Sequence, residues 1–241
     1  MILYHGSNKI IQTPQYGSGK EDNDYGKGFY TTEDRDKANA WAVVNGNDDA
    51  ICNQYELDIN GLNILRLNDY GVLAWTAEVI SHRGVLDENT MYIAEALVDK
   101  YKLDTSEYDI IIGYRADDSY TKVIDSFLQG QLTTDEVLRF FKKGELGDQV
   151  FIKSEPAFRN LKFIDYENVK NIEKYIGYDA STRKEVENFL NNRRKAIQIE
   201  GFQPKGITVQ DAIKNDCVYN KEYEYFEIKS NNANDLGLED R

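Results

Sequence analysis

A nine-residue stretch, Asp24-Tyr25-Gly26-Lys27-Gly28-Phe29-Tyr30-Thr31-Thr32, limits the possible folds of this chain more than any other part of it. Its two glycines indicate a tight turn or a close approach to a ligand, because only glycine adopts positive φ without steric cost. The aromatic pair and the threonine that follow favour a β-strand, which would place Tyr30 at the mouth of that strand. Taken alone, the pattern also fits a surface turn ahead of a core strand.

A helix is predicted immediately after this strand. Thr31 and Asp34 fit a capping box, and Ala38, Trp41 and Ala42 recur at helical spacing. The stretch therefore predicts a glycine turn, a short strand and a helix in succession, with a large aromatic side chain on the strand and another on the helix. Trp41 can belong to the core or form one wall of a ligand site, and the sequence leaves both open.

The charge of the chain argues against a general role in nucleic-acid binding. The 241 residues carry a formal net charge of −13, and a surface of this sign repels phosphate backbones. A local basic pocket for a small anionic ligand remains compatible with that charge. The hydrophobic content of 41% supports a sizeable core and excludes wholesale disorder.

The two cysteines predict a reducing compartment. Cys52 and Cys217 lie far apart in a chain without the paired Cys/His spacing of a metal site, so we expect free thiols, no metal and a cytoplasmic location. The N-terminus lacks a charged region followed by an apolar one, and no apolar run reaches membrane-spanning length. A protein exported by a dedicated machine would look the same.

Two polar clusters follow apolar strands. Met1 to Tyr4 predicts a first strand that ends at His5-Gly6-Ser7. This histidine is either an ordinary turn residue or a side chain presented at a sheet edge. The apolar run of residues 109–114 predicts a buried strand that ends in Arg115-Ala116-Asp117-Asp118. The second cluster either caps the next helix or lines a site.

The other elements follow from hydrophobic periodicity and capping residues. The predicted strands cover residues 52–59, 62–67, 149–153 and 161–164. The predicted helices cover residues 71–82, 90–101 and 120–129, a segment after the capping box Thr133–Glu136, one after Thr182 and Glu185 that ends at Arg193-Arg194-Lys195, and one over 208–214. The composition shifts near Asn168, so we expect a domain of residues 1–168 and an extension of residues 169–241 with a frayed polar end at 231–241.

Three separated motifs together resemble the mono-ADP-ribosyltransferase superfamily, in its diphtheria-toxin and poly(ADP-ribose) polymerase branch. The motifs are Leu3-Tyr4-His5-Gly6-Ser7, Gly26-Lys27-Gly28-Phe29-Tyr30 with Trp41 on the following helix, and Asp148-Gln149-Val150-Phe151. More narrowly, residues 1–165, including Arg115-Ala116-Asp117-Asp118, look like bacterial domains of this type, some of them encoded beside antitoxin-like partners.

The resemblance implies a fold, a co-substrate and a reaction. The fold would be α+β, with a split β-sheet core, flanking helices and a helical C-terminal extension. The co-substrate would be NAD, and the reaction would transfer ADP-ribose to a macromolecule in the manner of a toxin or conflict-system effector. The acidic charge favours a protein acceptor over a nucleic acid. An antitoxin protein is a further expected partner, and no membrane is expected.

The first motif would hold the nicotinamide end of NAD. The resemblance implies that His5 donates a hydrogen bond to a ribose hydroxyl and fixes its orientation. The backbone of Gly6 would clamp the nicotinamide amide, which requires a residue without Cβ. Ser7 would add a hydroxyl contact.

The second motif would supply aromatic walls. The resemblance implies that Tyr30 stacks on the nicotinamide ring, with Trp41 as a second wall. Gly28 would allow the backbone to approach the ligand closely. His5, Tyr30 and Gln149 are then the expected catalytic residues.

The third motif departs from the family pattern at Gln149, where many relatives carry glutamate. An amide can hydrogen-bond a ribose hydroxyl, but it offers no full negative charge to a developing cation. Two residues after Gln149 the chain has Phe151 rather than a glutamate, and the nearest downstream acid is Glu155. Polymer elongation is therefore disfavoured. Three functions remain open: a mono-ADP-ribosyltransferase, an NAD glycohydrolase with water as acceptor, and a non-catalytic module that binds NAD or a protein.

Overall fold

The computed structural model describes residues 1–46, 49–116, 118–143, 147–176 and 180–229, and shows a mixed α/β protein with several sheets. The strands in these ranges are β1 (Ile2–Ser7), β2 (Phe29–Thr31), β3 (Ile51–Leu57), β4 (Ile64–Arg66), β5 (Ile110–Tyr114), β6 (Asp148–Ile152), β7 (Leu161–Asn168), β8 (Cys217–Asn220) and β9 (Tyr225–Ile228). The helices are α1 (Arg35–Gly46), α2 (Gly71–Arg83), α3 (Met91–Tyr101), α4 (Asp118–Leu128), α5 (Thr134–Lys143), α6 (Glu155–Arg159), α7 (Ile172–Tyr175), α8 (Ala180–Glu200) and α9 (Val209–Lys214). Short 3-10 helices cover Leu67–Tyr70 and Glu88–Thr90.

Two sheets form the centre of the molecule. One is antiparallel with strand order β1-β3-β7. The other has the order β2-β6-β5-β4, and only its β4–β5 pair is parallel. The sheets meet where Tyr4 and Thr32 exchange two backbone hydrogen bonds of 2.8 and 2.9 Å. This contact brings the middle of β1 beside β2, and therefore brings the first two motifs together.

Strand β5 explains why the predicted apolar run is buried on both faces. Ile111 packs with Trp75 of α2 in the largest core cluster, whereas Ile110 and Ile112 pack with Tyr55 of β3 in a second cluster. The second sheet is thus a middle layer between helices and the first sheet. A strand in that position needs apolar side chains on both faces, so its sequence shows no alternation.

The prediction that β1 ends before His5 is wrong. The strand runs through Ser7, and His5, Gly6 and Ser7 pair with residues 51–53 of β3. Gly6 is required there because a Cβ would lie 1.9 Å from the carbonyl oxygen of Ala38 in α1. The glycine therefore marks a close strand–helix contact rather than a turn.

The predicted cap of α1 is also wrong. The Thr31 hydroxyl donates to the carbonyl oxygen of Val150 at 2.8 Å, so it links β2 to β6 and does not cap the helix. Asp34 caps the helix instead, because its carboxylate accepts from the backbone nitrogens of Asp36 at 2.9 Å and Lys37 at 3.3 Å.

The capping box of α5 is confirmed. The Thr133 nitrogen donates to Glu136 Oε2 at 3.0 Å, and the Glu136 nitrogen donates back to Thr133 Oγ1 at 3.3 Å. The side chain of Thr182 lies outside the described residues, and so do Asp117 and the polar end at 231–241. Helix α8 starts at Ala180, two residues before the predicted cap.

The segment after Asn168 is not wholly helical as predicted, because β8 and β9 form an antiparallel hairpin. The segment also shares the largest core cluster with the rest of the chain. Its buried members there are Val186, Leu190, Val209, Ala212 and Phe226. Arg193 fastens α8 by donating to the Gln131 carbonyl oxygen at 2.8 Å and pairing with Glu136 of α5. One residue of the predicted basic cluster is thus used inside the fold.

Both cysteines are free thiols, as predicted. Within the described ranges, no His/Cys/Asp/Glu group of three or more is placed to hold a metal ion. In the same part of the chain, every helix is too short or too polar to cross a bilayer.

Candidate functional site

A cleft of about 470 Å³ lies where β1, β2, β6 and α1 approach one another. Its volume falls within the range of about 300–1,000 Å³ that is usual for small-molecule sites. The lining residues are His5, Gly6, Asn23, Asp24, Tyr30, Trp41, Arg83, Arg115, Ala116 and Gln149. The cleft therefore gathers all three residues predicted as catalytic, His5, Tyr30 and Gln149, together with two further residues predicted to bind the cofactor, Gly6 and Trp41.

His5 is held by a hydrogen bond of 2.7 Å between its Nδ1 and the carbonyl oxygen of Tyr30. A carbonyl oxygen can only accept, so Nδ1 carries the proton. In the neutral ring Nε2 then has the lone pair and is an acceptor. The sequence analysis had predicted that His5 donates. Burial lowers the pKa of His5 below its ordinary value, and the bond to Tyr30 opposes that effect. The neutral form therefore prevails at physiological pH.

Tyr30 fixes the glycine turn from inside. Its hydroxyl donates to the Gly26 carbonyl oxygen at 2.7 Å and accepts from the Tyr25 nitrogen at 3.0 Å. Gly26 has φ of 80°, a conformation that glycine adopts without strain. The Tyr30 ring packs on Phe151 of β6 with 4.8 Å between centroids. Burial raises the pKa of Tyr30 far above the physiological range, so the hydroxyl keeps its proton.

Trp41 combines the two roles that the sequence left open. Its side chain is only 8% exposed, yet it lines the cleft. The Arg115 guanidinium lies 4.6 Å from the centre of its ring, within cation–π distance. The exposed part of the ring therefore forms a wall beside a positive charge.

Gln149 is almost wholly buried, and its amide is oriented by two acceptors. Its Nε2 donates to Asp24 Oδ2 at 2.7 Å and to the Tyr114 carbonyl oxygen at 3.3 Å. Because the backbone carbonyl oxygen of Tyr114 can only accept, the amide nitrogen must face this side. The Gln149 Oε1 is then the atom left to accept a hydrogen bond.

Asp24 is a functional candidate that the sequence did not single out. It is 6% exposed, and it accepts from the Ala116 nitrogen at 2.9 Å and pairs with Arg83 at 3.1 Å. Burial raises the pKa of Asp24, while Ala116, Arg83 and Gln149 act in the opposite direction. Its position directly before the glycine turn was the available signal, but Asp22 in the same polar loop looks no different in sequence.

The cluster after β5 contributes to the site. Arg115 and Ala116 line the cleft, while α4 begins at Asp118. Arg83, from the last turn of α2, also donates to the Ala116 carbonyl oxygen at 3.2 Å. Nothing in the amphipathic pattern of α2 distinguishes this arginine from a solvated one.

Ser7, Gly28 and Glu155 do not line the cleft. The Ser7 hydroxyl accepts from the Lys9 nitrogen at 3.2 Å. Gly28 serves packing, because a Cβ there would lie 2.3 Å from the Phe151 ring. Glu155 is exposed at the start of α6 and pairs with Arg159 at 3.3 Å. A second cleft of about 410 Å³, near Met1, Asp58 and Asn160, contains none of the predicted site residues.

Residues 1–163 match the model of a family described as protein of unknown function (DUF3990). The match spans more than half of the chain, so the chain belongs to this family. Comparison with curated proteins and with solved structures finds no match.

Proposed function

We propose that this member of the DUF3990 family is an NAD-dependent mono-ADP-ribosyltransferase that modifies a macromolecular acceptor. One observation carries the proposal: His5, Tyr30, Trp41 and Gln149 come from four separate elements and line one cleft. These are the positions at which the sequence resembles the superfamily. The junction of two sheets at Tyr4 and Thr32 is compatible with the split-sheet core that the resemblance implies.

The hydrogen-bonding character of the cleft suits a ribose. His5 Nε2 and Gln149 Oε1 are both acceptors, because the N–H groups of these side chains already donate to protein oxygens. A ligand that satisfies both must bring hydrogen-bond donors, and the hydroxyl groups of a ribose are such donors. The rings of Tyr30 and Trp41 provide apolar surface for a flat heterocycle such as nicotinamide.

The charges of the cleft suit the remainder of the dinucleotide. Arg83 and Arg115 both line it, although the chain carries a net charge of −13. Guanidinium groups are well matched to diphosphate oxygens. A positive site within an acidic molecule favours a small anionic ligand over a long polyanion.

The reaction breaks the bond between the ribose C1′ and the nicotinamide nitrogen. Nicotinamide leaves as a neutral molecule with the electron pair of that bond, and C1′ becomes cationic. A lone pair of the acceptor forms the new bond to C1′, and the acceptor proton passes to solvent. The chain contributes by holding the ribose and the ring in a fixed relation, an effect that can lower a barrier by several kcal/mol, on the order of 7 or more in the best cases.

The net charge of −13 supports a protein rather than a nucleic acid as the acceptor. The neutral amide of Gln149 supports single transfer rather than elongation of a polymer. The same amide also favours a second candidate, a module that binds NAD without cleaving it, because it offers no full charge to the cationic C1′.

Incubation of the purified protein with labelled NAD and a cell lysate tests the proposal. We expect label on protein, with loss of labelling in His5→Ala and Tyr30→Ala. Glu155→Gln is the matched control, because this acid is exposed and outside the cleft. Free ADP-ribose without labelled macromolecules would indicate a glycohydrolase. NAD binding without nicotinamide release would indicate the binding module, and absence of NAD binding would refute the proposal.

A further inference from the structure

The cleft contains a buried carboxylate at a position different from the one that the third motif predicts. Asp24 Oδ2 lies 2.7 Å from the Gln149 amide nitrogen, although the two residues are 125 positions apart in the chain. Among the described residues, this carboxylate also contacts the Ala116 nitrogen and the Arg83 guanidinium.

These three partners of Asp24 are all donors, an arrangement that favours its ionised form. A protonated carboxyl would turn its own hydrogen toward a donor and lose that hydrogen bond. A carboxylate buried to this extent is tolerated only when it is paired and hydrogen-bonded, as it is here. Burial raises the pKa of Asp24, and the charges of Arg83 and Arg115 act against that effect.

The amide of Gln149 can transmit this charge. Its nitrogen donates to an anion, and a hydrogen bond of this kind polarises the donor group and strengthens its other hydrogen bonds. The negative end of the polarised amide is Oε1, the atom left to accept from a ligand. An undirected glutamine would present either end.

We propose that Asp24 supplies the negative charge of this site and acts through Gln149, so that the two side chains together replace the single glutamate of related enzymes. The inference rests on the proposed function. Asp24 is a positioning residue in this scheme, because its oxygens are occupied by protein donors. Gln149 is the residue that touches the ribose.

We expect full activity when only one of positions 24 and 149 carries a negative charge. Activity should fall when both positions or neither position carries one. In Asp24→Asn, an amide faces donors that need an acceptor, and Gln149 turns its nitrogen toward the cleft. In Gln149→Glu, two carboxylates lie within hydrogen-bonding distance and must share a proton. In the double variant D24N/Q149E, the amide at position 24 donates to a carboxylate at position 149.

The experiment measures nicotinamide release from NAD in the wild type, both single variants and the double variant. We expect kcat to fall about 10–100-fold in each single variant, the usual effect of losing a group that orients a site residue. KM for NAD should change less than kcat. The double variant should recover at least about tenfold over either single variant, a difference of about 1.4 kcal/mol in activation free energy. Thermal unfolding of all four proteins separates this recovery from simple restabilisation.

A pH profile of Gln149→Glu provides a test that does not need Asp24→Asn to fold. The shared proton should make this variant most active in mildly acidic solution and inactive at higher pH, unlike the wild type. Equal or greater activity than the wild type at pH 8 would overturn the inference, as would a stable double variant without recovery. Wild-type protein that neither binds NAD nor releases nicotinamide would remove the proposed function and the inference together.

Discussion

His5 and Tyr30 are joined by a hydrogen bond of 2.7 Å between the imidazole Nδ1 and a backbone carbonyl oxygen, across the junction of the two sheets. The bond fixes the ring, the tautomer and the separation of the first two motifs. Because the accepting group belongs to the backbone of β2, no substitution of the Tyr30 side chain removes it directly. The behaviour of His5 can therefore be tested separately from that of the tyrosine ring.

NAD affinity should depend on pH through His5. Burial lowers the pKa of His5 below 6.5, so Nε2 accepts over the whole range above that value. As the pH falls through the lowered pKa, Nε2 gains a proton and stops accepting. Affinity should then fall by about tenfold for each further pH unit, in proportion to the neutral fraction. Calorimetry across pH 4.5–8 measures this, and His82→Gln simplifies assignment of the His5 signal by NMR. Affinity that is unchanged at a pH where NMR shows His5 to be protonated would contradict the assigned acceptor role.

Tyr30→Phe and Tyr30→Ala should separate the hydroxyl from the ring. The phenylalanine variant keeps the ring but leaves the Tyr25 nitrogen and the Gly26 carbonyl oxygen without their partner. We expect a loss of about 1–3 kcal/mol in unfolding free energy with NAD binding retained in the folded protein. The alanine variant should also lose NAD affinity. Urea denaturation and calorimetry measure the two effects, and equal affinities for both variants would argue against a stacking role.

Gly6→Ala should disrupt the contact between β1 and α1. The added methyl group would lie 1.9 Å from the Ala38 carbonyl oxygen and 2.6 Å from the Ala42 nitrogen. Both atoms are helix backbone and cannot rotate away, so we expect a loss of about 3 kcal/mol or more. Gly61→Ala is the control, since nothing lies within 4 Å of its added carbon. That variant should lose only about 1–2 kcal/mol for its left-handed backbone. Similar losses in both proteins would show that the close packing is not the reason for glycine at position 6.

NAD should change the fluorescence of Trp41 and leave that of Trp75 unchanged. The chain has two tryptophans. Trp41 lines the cleft, whereas Trp75 of α2 is fully buried in the largest core cluster. A titration of the wild type should show quenching that disappears in Trp41→Phe. A full response in the variant would place the ligand elsewhere.

Removal of residues 169–241 should prevent stable folding, because this segment completes the largest core cluster. Leu190→Ala on α8 should lose about 2–5 kcal/mol of unfolding free energy, the usual result for a buried leucine. Ile199→Ala on the same helix should change it by less than about 0.5 kcal/mol, because Ile199 is 79% exposed. Thermal and urea unfolding measure both, and a folded fragment of residues 1–168 would contradict the shared core.

Elements with strong local signals were predictable. The apolar run that forms β5 and the capping box of Thr133 and Glu136 both depend on residues close in sequence. The Thr31 cap failed because its hydroxyl found an acceptor in β6, a partner 119 positions away. The hairpin of β8 and β9 was not predicted, because its strands are only four residues long. Such strands are too short to show a clear alternation of apolar and polar residues.

The sequence by itself determined the glycine turn, the strand and the helix after it, and it marked His5, Tyr30 and Gln149 as residues expected to share one site. Only the tertiary structure decided what these groups can do. The proton on His5 and the orientation of Gln149 are set by partners 25 and 125 positions away. Local periodicity encodes which side chains are buried, but a donor's partner depends on the register of strands that meet only after folding. For that reason Asp24, one acid among many in the sequence, becomes the buried carboxylate of the cleft.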